Sequence, residues 1–99
     1  MGKTSETKTK RAELLKHALR VARKHGYKHC SRAQIAEEAG CSANLLNYYF
    51  DTLPKLHRAI MGEAIRVVDL DIIAQGLLAK DPRVENISEE IRAKIRARI

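Results

Sequence analysis

Ninety-nine residues allow one small domain and exclude a second full one, since a chain of this size buries only about 60 to 70% of the surface its unfolded form exposes. The composition is 44% apolar with only two prolines and no Gly/Ser-rich linker, and no apolar run approaches the roughly 18 residues of a membrane span, so a folded cytoplasmic protein without a membrane partner is expected. The formal charge of +7, from 19 Lys/Arg and 12 Asp/Glu, asks for a polyanionic partner.

That charge is unevenly spread. Residues 1–58 hold 12 Lys/Arg against 5 Asp/Glu, whereas residues 59–99 hold 7 against 7, so the whole excess lies in the first part of the chain. Cys30 and Cys41 are too few for a disulfide framework and form no CxxC pair, which fits a reducing compartment.

Residues 1–9 have no apolar side chain after Met1 and are expected to be a disordered basic arm. It reads either as a solvated tail or as an arm that brings Lys3, Lys8, Lys10 and Arg11 to phosphates or a minor groove. From Lys10 to His25 the residues Leu14, Leu15, Ala18, Leu19 and Ala22 recur at helical spacing, and Gly26 closes this first helix. Tyr27 should pack back over the stop. Lys28, His29 and Cys30 then connect to Ser31.

Ser31 to Phe50 is the stretch around which the chain is organised. Ser31 and Gln34 have capping-box spacing, Ile35, Ala36 and Ala39 follow at helical intervals, and Gly40 supplies a left-handed stop. Ser42 stands as the next N-cap. Two short helices about such a turn form a helix-turn-helix, the unit that lays its second helix in a DNA major groove. Leu46 and Phe50, at i and i+4, should face the core and turn Asn44, Asn47 and Tyr48 outward.

A fourth helix begins after Asp51 or Thr52, with Pro54 in its first turn and Leu53, Leu56, Ile60, Ala64, Val67 and Val68 along one stripe. Gly62 inside it hints at a close helix crossing. Asp69 to Ala79 reads as a fifth helix ended by Asp81-Pro82, and Ser88 caps a sixth with a ridge of Ile87, Ile91, Ile95 and Ile99. That narrow ridge should pack on the fifth helix or on a second copy of the chain.

From Gly26 to Leu56 the sequence resembles the TetR family of bacterial transcriptional regulators. The resemblance rests on Gly26-Tyr27 before the Ser31 cap, on Ile35-Ala36 with Ala39-Gly40 and Ser42, and on Tyr49-Phe50 followed by Leu56. It implies an all-α fold: a TetR-like three-helix head with a helix-turn-helix, plus two to three short C-terminal helices. It also implies base contacts by Ala43, Asn44, Leu45, Asn47 and Tyr48, and phosphate contacts by Ser31, Tyr49 and Lys55. Lys28 is counted with the phosphate contacts. Leu45 and Asn47 replace the Thr and Tyr frequent in the family, so different bases should be read. Lys55 stands in for a family lysine whose place is taken by Leu53. About 45 residues follow the start of the fourth helix, too few for the family's ligand-binding domain, so no inducer pocket or small-molecule effector is expected.

The domain reading is a basic arm at 1–9, a DNA-binding domain at 10–68 and a short helical region at 69–99 that dimerises. Asn can pair bidentately with adenine, and Leu45 can meet a thymine methyl. Tyr49 divides between core packing and a phosphate bond. Cys41 is expected to pack in the core, with a redox role as the alternative. His17, His25, His29 and Cys30 match no zinc spacing, and no nucleophile, base and oxyanion set is present, so no metal, cofactor or catalysis is expected. The function expected is a sequence-specific repressor bound as a homodimer to a palindrome in double-stranded DNA. The alternatives are a helical adaptor or antagonist of another regulator, and a nonspecific basic nucleic-acid binder.

Overall fold

The structure is a computed structural model that describes the backbone of residues 2–98 and the side chains of residues 10–98. Six α-helices follow one another: α1 (Gly2–His25), α2 (Arg32–Ala39), α3 (Ala43–Tyr49), α4 (Leu53–Val67), α5 (Leu70–Leu78) and α6 (Glu89–Arg98), with a 3-10 turn at Pro82–Val84 between the last two. There is no strand among the described residues, and the protein is all-α with a helix-turn-helix head. The helical backbone of α1 extends upstream of Lys10 to Gly2. Met1 and the side chains of the arm expected at 1–9, together with Ile99 of the isoleucine ridge, lie outside the described residues.

Local chemistry fixes each boundary. The Ser31 hydroxyl accepts the Gln34 amide at 3.1 Å while the Gln34 carboxamide accepts the Ser31 amide at 2.8 Å, a complete capping box. Gly40 sits at φ +68°, and the amides of Gly40 and Cys41 reach back to the carbonyls of Glu37 and Ala36, the paired bonds of a Schellman stop. Ser42 has the extended backbone of an N-cap, yet its side chain makes no capping bond, so α3 is held by its packing. Thr52, rather than Asp51, caps α4 by accepting the Lys55 amide at 3.3 Å. Asp69 caps α5 through the Ile72 amide, and Ser88 caps α6 through that of Ile91.

The turn from α4 to α5 uses an unusual residue. Val68 takes the left-handed conformation at φ +57°, where a β-branched side chain is disfavoured. The Asp69 amide still bonds the Ala64 carbonyl at 2.7 Å, and the Asp69 carboxylate is anchored by the Arg23 guanidinium of α1 at 2.6 Å. Three bonds to Asp69 thus hold a turn that its preceding residue opposes.

One core joins all six helices. Leu14, Ala18 and Ala22 of α1 meet Ile35 of α2, Leu46 of α3, Leu56 and Ile60 of α4, Ile72 and Ile73 of α5 and Ile95 of α6, all buried in a single cluster. The isoleucine ridge packs on α5, the first of its two expected places, with Ile87 and Ile95 buried and Ile91 half-buried. The close approach hinted at for Gly62 is elsewhere. Gly62 is exposed and a Cβ there would meet nothing within 4 Å, whereas at Gly76 it would lie 2.7 Å from Met61 Cε and 3.0 Å from Val84 Cγ1. Gly76 is therefore where α5 comes against α4 and the 3-10 turn.

Candidate nucleic-acid interface

The interface begins with what α3 hides. Leu46 is fully buried and Phe50 nearly so, which anchors the seven-residue helix on one side and sets its rotation. Ala43, Asn44 and Asn47 are exposed as a result, and Tyr48 most of all, at 73%. Leu45 and Tyr49 are half-buried against the edge of the core. Leu45 thus keeps a partly exposed apolar surface, of the kind that suits a thymine methyl. The rings of Tyr48 and Tyr49 meet edge to face at 4.9 Å, so each limits the other's rotamers. Cys41 is half-buried and packs against the same core.

The flanking polar groups are distributed along the starts of α2 and α4. Ser31 is half-buried with its oxygen committed as an acceptor to the cap, which leaves its hydroxyl hydrogen free to donate. Lys55 is exposed and forms an ion pair with Asp51 at 3.2 Å. Lys28 is exposed in the loop before α2, its ammonium 6.0 Å from the centre of the Tyr27 ring. The His57 imidazole Nε2 of α4 lies 3.2 Å from the Cys30 carbonyl and ties that loop to α4.

Two further cations position this surface: Arg32, to which the spacing assigned no role, and Arg11, which was expected in the arm. Arg32 donates from Nη2 to the Asp51 carbonyl at 3.3 Å, joining the start of α2 to the turn after α3. A legible signal existed: a cation in the first turn of a helix opposes the macrodipole, so Arg32 must be held by something else. Arg11 lies over the Phe50 ring at 5.0 Å, where the sequence reading placed it with the arm. Nothing in the spacing of α1 marks that contact.

Buried titratable groups lie behind this surface. Burial pushes the Cys30 thiol up to about 11, and the thiol donates to the Tyr27 carbonyl, which suits a packed residue rather than a reactive one. Among the described residues no group of three His, Cys, Asp or Glu is placed to hold a metal ion. No helix among them is long and apolar enough to cross a membrane.

Residues 14–56, from the core face of α1 through the first turn of α4, match the family model described as bacterial regulatory proteins, tetR family. Residues 14–56 are a TetR-family helix-turn-helix head. The chain therefore carries the DNA-binding unit of a transcription regulator. The TetR match takes in α2, α3 and both of their caps, and residues 57–98, with most of α4 and all of α5 and α6, lie beyond it. No curated protein and no solved structure matched the chain.

Proposed function

We propose that the protein is a sequence-specific repressor that binds a palindromic operator in double-stranded DNA as a homodimer and acts in the cytoplasm. The observation that carries this is the rotation of α3: buried Leu46 and Phe50 leave Asn44, Asn47 and Tyr48 facing outward together. Ala43 and Leu45 complete the base-reading set, while Ser31, Tyr49, Lys55 and Lys28 approach phosphates on either side. Asn44 and Asn47 suit adenine, and each bidentate pair supplies roughly 1 to 3 kcal/mol of discrimination.

One head offers few base contacts, so two heads on half-sites about one helical turn apart supply the specificity. In this reading residues 10–68 bind DNA and residues 69–99 bring two copies together. Leu78 of α5, 87% exposed, offers an apolar contact to a second copy in that division. Catalysis, metals and small-molecule effectors play no part in the reading.

Selection from a random-sequence duplex library, followed by the mass of the complex on the best duplex, tests it. An enriched inverted repeat carrying two chains is the expected result. Binding without enrichment replaces it with nonspecific nucleic-acid binding, and no binding at moderate salt replaces it with the adaptor.

A further inference from the structure

Linear charge counting assigns no net charge to residues 59–99, but the fold carries part of that segment to the edge of the head. A cleft of about 450 Å3 is lined by Lys28 of the loop before α2, by Pro54, His57 and Arg58 of the first turns of α4, and by Lys80 and Arg83 after α5. Its charged side chains include four cations and one carboxylate, that of Asp81. Asp81 is 8% exposed and already bonded to the Tyr27 hydroxyl and the Arg83 amide, so it offers little to a ligand.

Three of the cleft cations differ from most others not in lacking a carboxylate, which among the described residues is also true of Arg11, Lys16, Lys24, Arg32 and Arg92, but in sharing one cleft. Arg23, Lys55, Arg66, Arg96 and Arg98 all sit within 4 Å of a carboxylate. Among the described residues, Lys28, Arg58 and Lys80 have no such partner, and all three are exposed around one cleft. Lys80 also occupies a left-handed position at φ +55°, the stop after α5 where glycine or asparagine is favoured. A lysine is held there against the local backbone preference. The three cations and Arg83 set four positive charges against the single carboxylate of Asp81, and the excess positive charge repels itself until an anion enters.

The cleft adjoins the proposed DNA surface at two points: Pro54 directly precedes Lys55, and Lys28 stands three residues before Ser31. We infer that this cleft binds backbone phosphate of the DNA beside the half-site, with Arg58, Lys80 and Arg83 extending the contacts of Lys28 beyond the helix-turn-helix. The inference rests on the DNA-binding reading and adds to it a phosphate site contributed by the segment after α5. Arg83 keeps its bond to Asp81 and supports the wall, so Arg58 and Lys80 are the residues whose loss reports the contact.

The test measures affinity for the selected duplex against salt for the wild type, for Arg58→Gln/Lys80→Gln, and for Lys94→Gln/Arg96→Gln, which removes equal charge from α6. Each phosphate contact contributes about 0.9 to the slope of log K against log salt. The cleft variant is expected to lower that slope by about 1 to 2, to weaken all sequences alike and to keep the selected motif, while the α6 variant stays near wild type. Matching thermal unfolding of the three proteins would show that the change is not a loss of fold. An unchanged slope, or an equal fall in the α6 variant, overturns the cleft as a phosphate site but leaves the DNA-binding reading standing. Amide shifts at Lys28 and Lys80 on adding inorganic phosphate at constant ionic strength, with the DNA slope unchanged, would assign the cleft to free anions and overturn the inference. Failure of the wild type to bind any duplex overturns both.

Discussion

The Tyr27 hydroxyl donates a 2.8 Å hydrogen bond to the Asp81 carboxylate across 54 positions of sequence, inside the core. It joins the loop ahead of the helix-turn-helix to the turn after α5. Burial and this bond push the Tyr27 pKa up to about 12. Burial pushes the Asp81 carboxyl upward too, but the Arg83 amide, the Tyr27 hydroxyl and the charges of Arg83 and Lys28 outweigh it and hold the carboxyl below its ordinary range.

The two shifts give opposite pH limbs. A raised tyrosine pKa contributes stability that is complete below about pH 10 and lost as pH rises through the folded value near 12. A lowered aspartate pKa contributes stability present above about pH 4 and lost as pH falls below it. Tyr27→Phe should cost about 1 to 3 kcal/mol at neutral pH, because it leaves a buried carboxylate short of a donor. It should also remove the alkaline limb and reduce the acid one. Denaturant unfolding of both proteins across pH checks this, and parallel curves would refute it.

Gly62→Ala and Gly76→Val should move stability in opposite directions. At Gly62 the new methyl meets open space, so the helix gains about 0.5 to 1 kcal/mol. At Gly76 the larger side chain must displace buried Met61 and Val84, at about 2 kcal/mol or more. Thermal unfolding of the two variants decides it; a stabilised Gly76→Val would mean that α5 does not close against α4.

Val68→Gly should stabilise the protein by about 1 kcal/mol, because glycine adopts the left-handed turn without the penalty borne by valine. The gain is reduced by the greater freedom of glycine in the unfolded chain. Urea midpoints with an unchanged m value would measure it, and a clear loss would show that the exposed valine side chain has a packing partner.

Asn47→Ala with Tyr48→Ala should leave unfolding nearly unchanged, since both side chains are exposed, but relax recognition at one or two base pairs. The loss expected on the selected duplex is about 5- to 150-fold, from roughly 1 to 3 kcal/mol for one good bidentate pair. Unaltered selection from the random library would remove these residues from the reading surface.

Much of the head was legible because its signals are local. The Ser31 and Gln34 capping box, the Gly40 stop and the buried pair Leu46 and Phe50 are set by residues three or four apart, and each is where its spacing places it. The same pattern exposes Asn44, Asn47 and Tyr48. What was hidden depends on residues distant in sequence. Gly62 and Gly76 are alike to any periodicity rule, and only the position of Met61 and Val84 separates them. Arg11 reaches Phe50 from another helix, and Lys80 and Arg83 join Lys28 only after the chain has turned twice.

Gln75 ties α5 to the C-terminal end of α1. Its carboxamide accepts the Tyr27 amide at 2.8 Å and donates to the Ala22 carbonyl at 3.0 Å, closing the end of α1 from α5. One side chain thereby serves the Tyr27 amide and adds a second bond to the Ala22 carbonyl, which already accepts the Gly26 amide at 2.8 Å. The loop that delivers Lys28 and Ser31 to their places is therefore fastened at its root to the C-terminal half of the chain. A displacement of α5 by as little as the length of a hydrogen bond would break both contacts at once, so whatever engages α5 also sets the freedom of the loop that leads into α2.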